Sequence, residues 1–180
     1  MTILDKTFVP FIDRERLHTR IRELAEQINH DYANRRPLIV GVLNGAVLFT
    51  ADLLKNITID CEITFIRVAS YEQTASTGQI KQILGLSEVI TGRDLIVVED
   101  IVDTGLTMTE VLRQLRQQNP ASIAIATLLF KPNALKVSLS LDYVGFEIEN
   151  QFVVGYGLDY DGLGRNTQEI YVLQSAVDSQ

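Results

Sequence analysis

Thiols are nearly absent from the sequence, because Cys61 is the only cysteine among 180 residues. A single cysteine excludes an internal disulfide framework, and it cannot form a thiolate metal cluster alone. No apolar run approaches the ~20 residues that a membrane-spanning helix needs. The first apolar stretch is interrupted by acidic and basic residues, which is unlike a signal peptide. We therefore expect a cytoplasmic protein in a reducing compartment.

Positive charge is also scarce. The chain has 16 Lys and Arg residues against 23 Asp and Glu residues, a formal net charge of -7. Such a balance argues against broad binding of nucleic acid or of anionic membranes, but it does not exclude a local cationic pocket. Internal repeats and low-complexity segments are lacking. With 46% hydrophobic residues, the sequence indicates one globular domain over residues 1–180.

Hydrophobic periodicity predicts helices that alternate with strands. We expect an amphipathic helix from Asp13, its N-cap, to about Arg35, and further helices at 46–54 and 105–118. Strands are expected at 37–43, 57–68, 95–98, 122–130, 141–148 and 169–173. Residues 69–94, rich in Ser, Thr, Gly and Gln, should form a long loop of the kind that acts as a lid. The alternation implies a mainly parallel sheet with helices on both faces.

The stretch "LIVVEDIVDTGLT", residues 95–107, places three carboxylates directly after a buried strand. Ligands of parallel sheets bind beyond the carboxyl ends of the strands, so Glu99, Asp100 and Asp103 should line a crevice rather than the core. The small and hydroxyl residues of 104–107 suit a phosphate at a helix N-terminus. The carboxylates suit ribose hydroxyls, Mg²⁺ or a proton to be abstracted. A sugar phosphate satisfies both halves, and a solvated acidic turn that caps the helix is the simpler alternative.

The same stretch closely resembles the signature by which type I phosphoribosyltransferases bind phosphoribosyl pyrophosphate. "LLFKP" at 128–132 and "FVVGYGLDYDGLGR" at 152–165 are similar to segments of hypoxanthine-guanine phosphoribosyltransferases, in the same order and at similar spacing. With "GVLNGAVLFTADLL" and "RVASYEQTASTG", the resemblance extends from about Leu38 to Leu173. It implies an α/β type I phosphoribosyltransferase fold, in which helices flank a mainly parallel central sheet (about 37–150). A small hood (about 1–12 and 150–180) should cover the C-terminal strand ends.

The resemblance implies purine salvage as the activity. The 5-phosphoribosyl group would pass from phosphoribosyl pyrophosphate to N9 of hypoxanthine and of guanine, giving IMP and GMP and releasing pyrophosphate, with Mg²⁺ as cofactor. A homodimer or homotetramer without nucleic-acid or membrane partners is implied as well. Two alternatives stay open: a xanthine-preferring transferase, and a non-catalytic regulator that senses phosphoribosyl pyrophosphate. The lack of an added DNA-binding segment or of a basic excess argues against the regulator.

By the same resemblance, Asp103 is the expected catalytic residue, because it would face N7 of the purine and take up a proton. Lys131 would donate to O6, which suits a 6-oxopurine but not the amino group of adenine. The implied purine-binding residues are Lys131, Phe152, which would stack on the base, Val153, which would read its edge through the backbone, and Asp159.

The residues implied to bind phosphoribosyl pyrophosphate are Leu43, Asn44, Gly45, Glu99, Asp100, Asp103, Thr104, Gly105, Leu106, Thr107 and Arg165. Those implied to bind the metal are Glu99, Asp100 and Asp159. Ser70 and Tyr71 would open a lid over about 71–83. Two positions depart from the family pattern, since Asn44 stands where many relatives carry Lys and Leu106 where some do. The departure at Asn44 removes one positive charge from the pyrophosphate site.

Overall fold

The computed structural model describes residues 1–71 and 80–174, and of residues 69–71 and 80–84 it describes the backbone alone. These residues contain three α-helices and ten strands. The helices are α1 (Arg14–Asp31), α2 (Val47–Asn56) and α3 (Leu106–Arg116). The strands are β1 (Thr2–Ile3), β2 (Lys6–Ile12), β3 (Leu38–Leu43), β4 (Glu62–Tyr71), β5 (Ile80–Leu84), β6 (Asp94–Val102), β7 (Ser122–Phe130), β8 (Tyr143–Glu147), β9 (Val153–Val154) and β10 (Ile170–Leu173).

The main sheet has six strands in the order β5-β4-β3-β6-β7-β8, and all neighbours except β4 and β5 are parallel. Successive residues of β3 point to opposite faces, because strand side chains alternate. Leu38 and Val40 join one core cluster with α3, whereas Ile39 joins the other with α1 and α2. Burial on both faces explains why β3 and β6 read as continuous apolar runs. The predicted mainly parallel sheet with helices on both faces is confirmed.

Helix α1 starts as predicted, because the Asp13 carboxylate accepts a hydrogen bond of 2.8 Å from the backbone N–H of Arg16. It ends at Asp31, earlier than the predicted Arg35. Residues after Tyr32 leave the helix in a turn, in which the N–H of Arg35 donates to the carbonyl of Tyr32. Among the residues described, no helix is both long and apolar enough to cross a membrane.

Two expectations between residues 57 and 94 are wrong. The strand predicted at 57–68 begins only at Glu62, and the alternating Ile57, Ile59 and Cys61 pack part-buried against the core without strand pairing. The predicted loop over 69–94 contains the end of β4 and all of β5, which pair antiparallel from Arg67–Leu84 to Tyr71–Ile80. Backbone pairing thus overrides a polar, strand-poor composition. The tip of the predicted lid, 72–79, lies outside the described residues.

A second, antiparallel sheet has the order β1-β2-β10-β9. Its small core consists of Ile3, Phe8 and Val154. The predicted final strand is present, but it pairs with β2 and β9 rather than with the main sheet. Sequence reasoning had not predicted β2 as a strand. We call this sheet and its connecting loop, residues 155–169, the hood; the division of the chain into a core of about 37–150 and a hood stays a prediction.

Candidate active site

The ends of β6 and β7 bring a carboxylate and an ammonium group together. Val102 and Phe130 are register partners, so the residues that follow them, Asp103 and Lys131, emerge side by side. Lys131 Nζ lies 3.1 Å from Asp103 Oδ2. The Lys131 side chain is only 8% exposed, whereas that of Asp103 is 44% exposed. The ion pair is therefore anchored in the protein on the lysine side and open to a ligand on the carboxylate side.

Helix α3 begins beside this pair, with Gly105 as its N-cap. Gly105 has a φ of 77°, in the left-handed region that favours glycine. A Cβ at this position would also lie 2.9 Å from side-chain carbons of Leu135 and Val137. Gly105 has no side chain to cap the helix, and Thr104 Oγ1 accepts a long hydrogen bond of 3.5 Å from the N–H of Leu106. A helix N-terminus of this kind favours an anion. The cleft at this end of the helix is lined by Glu99, Ile101, Val102, Asp103, Thr104, Gly105, Thr107 and Met108.

Glu99, which is buried, and Asp100, which is half-buried, form an acidic pair in the same strand. Burial raises the pKa of the Glu99 carboxyl well above its usual range, and the neighbouring charge of Asp100 adds to the effect. Burial also raises the pKa of Asp100, although hydrogen bonds and the charge of Arg165 act in the opposite direction. The backbone N–H of Ile101 donates to Asp100 Oδ1 at 2.9 Å. A pair of this kind favours a proton, a cation or a hydroxyl donor at its oxygens.

The burial of Glu99 predicts pH-dependent stability. Its pKa is higher in the folded than in the unfolded protein, so the free energy of unfolding should fall as the pH rises above about 4.5. Glu99→Gln removes this charge at nearly constant shape. We expect the variant to gain about 1 kcal/mol or more relative to the wild type between pH 4 and pH 8. Urea unfolding at both pH values measures the difference.

The matched control is Glu26→Gln, on the exposed face of α1. Its stability relative to the wild type should change little between the two pH values. A stability difference between Glu99→Gln and the wild type that is the same at pH 4 and pH 8 would contradict the assigned burial of the charge.

The loop after β3 packs directly against the acidic pair. A Cβ at Gly45 would overlap the Asp100 carboxylate, and a Cβ at Gly157, in the hood, would overlap the Gly45 carbonyl oxygen. Glycine at both positions therefore lets the β3 loop, the end of β6 and the hood meet. The Leu43–Asn44 peptide bond in this loop is cis.

The hood contributes a second ion pair, in which Arg165 Nη2 lies 2.7 Å from Asp159 Oδ1. The other carboxylate oxygen of Asp159 accepts from the N–H of Gly162 at 2.7 Å. Arg165 Nη1 also donates to the Gly157 carbonyl at 2.6 Å. Since Gly157 packs on Gly45 and the charge of Arg165 acts on Asp100, these contacts tie the hood loop to the end of β6.

Phe152 precedes β9, and its aromatic ring packs against two other aromatic rings. Its centroid lies 6.0 Å from that of Phe8 and 5.7 Å from that of Tyr160, the latter nearly edge-on. Lys6 Nζ lies 5.2 Å from the Phe152 centroid. Phe152 is nevertheless 41% exposed, so part of the ring is free to stack on a planar ligand. Val153 follows it as a buried residue of β9.

The structure thus places most of the predicted residues at the carboxyl edge of the main sheet or in the hood. Leu106 is half exposed on the first turn of α3. Ser70 and Tyr71 lie in β4, and only their backbone is described. Within the described ranges, no three His, Cys, Asp or Glu side chains are grouped as a metal-binding cluster.

Sequence reasoning missed one cation beside the β3 loop. Arg67, in the middle of β4, donates from Nη2 to Asn44 Oδ1 at 2.8 Å. The available signal was a basic residue close to the carboxyl end of a strand that was predicted to lie in the parallel sheet.

Comparisons with known proteins agree with this geometry. A family model described as "Phosphoribosyl transferase domain" matches residues 13–161. The hypoxanthine-guanine phosphoribosyltransferase of Bacillus subtilis (strain 168) is 42% identical over 167 residues, which cover 92% of this chain and 93% of the relative. That of Mycobacterium tuberculosis (strain H37Rv) is 42% identical over 170 residues, which cover 91% and 84%.

A solved structure extends the likeness to three dimensions. The crystal structure of a hypoxanthine phosphoribosyltransferase from Staphylococcus aureus matches with a TM-score of 0.87 at 35% identity, and the match covers 98% of this chain and 96% of that one. The shared fold is an α/β fold with five parallel strands flanked by helices. The chain belongs to the phosphoribosyltransferase family, and it is an enzyme of the hypoxanthine-guanine phosphoribosyltransferase group within that family.

Proposed function

We propose that the enzyme transfers the 5-phosphoribosyl group of phosphoribosyl pyrophosphate to N9 of hypoxanthine and guanine, releasing pyrophosphate and giving IMP and GMP. The observation that carries this proposal is the 3.1 Å pair of Lys131 and Asp103 next to the N-terminus of α3. The ion pair suits the edge of a purine, and the helix N-terminus suits a phosphate. Neither the xanthine-preferring alternative nor the regulator is supported by the relatives.

The base would be read by the ion pair. O6 and N7 lie on the same edge of a 6-oxopurine, so a neighbouring donor and acceptor can engage both. The Lys131 ammonium only donates, which suits O6 and leaves the amino group of adenine facing another donor. Asp103 would accept the proton that the purine loses as N9 becomes a nucleophile. Phe152 would stack on the base, and the backbone of Val153 would face its edge.

The phosphoribosyl pyrophosphate would lie along the acidic strand end. The backbone of residues 103–107 would hold the 5'-phosphate at the α3 N-terminus. Glu99 and Asp100 would bind the ribose hydroxyls and hold Mg²⁺, whereas Asp159, paired with Arg165 in the hood, would lie near a second Mg²⁺. The donor set fits, because Mg²⁺ is usually held by one or two carboxylates together with substrate phosphates. Bound there, Mg²⁺ supplies positive charge to the departing pyrophosphate.

Lys131→Ala tests the proposed hydrogen bond from Lys131 to O6 of the purine. The variant leaves O6 without its donor, and we expect kcat/KM for hypoxanthine to fall. The expected loss corresponds to roughly 1 to 3 kcal/mol of transition-state stabilisation. Discrimination against adenine should weaken, because the Lys131 ammonium no longer faces the amino group of adenine, which is also a donor. Steady-state kinetics with both bases measures the change, with Lys136→Ala, on the loop after Pro132–Ala134, as the control. Unchanged hypoxanthine kinetics would remove Lys131 from the base site.

The proposal as a whole is tested by incubating the protein with phosphoribosyl pyrophosphate, Mg²⁺ and one purine at a time. Nucleotide formation is followed with hypoxanthine, guanine, xanthine and adenine. We expect IMP and GMP to form, and little or no AMP. Product from xanthine alone, or from none of the purines, would contradict the proposal.

The proposal extends to the protein's state in the cell. The resemblance that supplies the chemistry also implies a homodimer or homotetramer with small-molecule substrates. A cytoplasmic location fits the single cysteine.

A further inference from the structure

Cations around the site differ in what neutralises them. Lys131 is paired with Asp103 at 3.1 Å, and Arg165 is paired with Asp159 at 2.7 Å. Arg67 has no carboxylate within 4.0 Å among the described residues, and its hydrogen bond goes to the neutral amide oxygen of Asn44. Of these three cations, Arg67 therefore keeps its full charge available to an anionic ligand.

The position of Arg67 is fixed by the main sheet. Leu43, the last residue of β3, and Arg67, in the middle of β4, are register partners in the parallel pair. The hydrogen bond to Asn44 then orients the guanidinium over the β3 loop. The next residue of that loop, Gly45, packs against the Asp100 carboxylate and against Gly157 of the hood. Arg67 thus borders the place where the loop, the acidic strand end and the hood meet.

The β3 loop itself carries no charge, because it consists of Asn44, Gly45 and Ala46. A diphosphate bound there would need a cation from elsewhere, since its oxygens carry several negative charges. A guanidinium presents donors in a planar fork, and it pairs with phosphate oxygens through charge-assisted hydrogen bonds. Asn44 uses only its amide oxygen on Arg67, so its NH₂ group is a further donor toward the same ligand.

We propose that Arg67, oriented by Asn44, binds the diphosphate group of phosphoribosyl pyrophosphate and of the released pyrophosphate. This assignment rests on the proposed function for the identity of the ligand. It makes Arg67 a substrate-binding residue for the diphosphate and leaves the purine and the 5'-phosphate to other groups. The positive charge that is missing at position 44 is supplied from the neighbouring strand.

The test compares Arg67→Ala and Arg67→Gln with the wild type. Calorimetry measures the binding of pyrophosphate with Mg²⁺, and separately the binding of IMP, which has a 5'-phosphate but no diphosphate. We expect both variants to bind pyrophosphate ~10- to 100-fold more weakly and to bind IMP within about twofold of the wild type. The KM for phosphoribosyl pyrophosphate should rise in parallel, with little change in the KM for hypoxanthine. Normal IMP binding also shows that the variants are folded.

The matched control is Arg22→Ala, on the exposed face of α1, which should leave both affinities unchanged. Wild-type pyrophosphate affinity in either Arg67 variant, or an equal loss for pyrophosphate and IMP, would overturn the assignment. The wild-type turnover assay separates the two proposals. If the wild type forms no nucleotide but pyrophosphate binding still depends on Arg67, the proposed reaction fails and the diphosphate site stands.

Discussion

Replacing Asp103 by Asn is expected to lower kcat for IMP formation by ~10²-fold or more, because the amide cannot take up the purine proton. The substitution keeps the shape of the side chain, and its oxygen can still accept from Lys131. The Asp103 side chain is 44% exposed and lies outside both core clusters, so the fold should tolerate the change. The loss should therefore fall on the chemical step rather than on folding.

Steady-state kinetics of IMP formation, together with thermal unfolding, separates these effects. Asp161→Asn is the matched control, since Asp161 is an exposed residue of the hood loop with a left-handed φ of 52°, which Asn tolerates well. Its kcat should stay close to that of the wild type. Near-normal turnover of Asp103→Asn would remove Asp103 from the mechanism.

Removal of Mg²⁺ is expected to stop the reaction. In the proposed site, the departing pyrophosphate would accumulate negative charge close to Glu99 and Asp100, two carboxyls whose pKa values burial already raises. Without a cation, the phosphoribosyl pyrophosphate and the carboxylates repel each other. The negative charge that develops on the leaving pyrophosphate is then not stabilised. Turnover should fall to background in excess EDTA and return when Mg²⁺ is added back.

The control for this experiment is EDTA that has been saturated with Mg²⁺, which should leave turnover unchanged. The charge argument would be wrong if the enzyme kept full activity in excess EDTA.

Strands were predictable from sequence where burial is complete. The apolar run 122–130 is β7 itself, residue for residue, because a strand covered on both faces has no polar alternation to blur its limits. The strand β5 was not predicted, since pairing with β4 rather than composition defines it. The antiparallel strand β2 was missed for a related reason, as its partner β10 lies more than 150 residues away.

The site residues likewise differ in whether the sequence alone could place them. Residues 99–107 are contiguous, so their carboxylates and the helix start could be placed at one crevice from the order of residues alone. The contact of Arg67 with Asn44 depends on the register of β3 against β4, which no local pattern specifies. The overlap that Gly45 avoids with Asp100 likewise exists only after two separate chain segments have packed together.

The central claim is that Asp103 handles the proton at N7 of the purine, and a substrate analogue tests it most directly. In 7-deazahypoxanthine a carbon replaces N7, so the carboxylate has no proton to accept there. We predict that the wild-type enzyme loses ~10²-fold in kcat/KM on this analogue, and that Asp103→Asn, already impaired on hypoxanthine, loses little more. Equal wild-type kcat/KM for hypoxanthine and the analogue, or fully additive losses in the variant, would contradict the account.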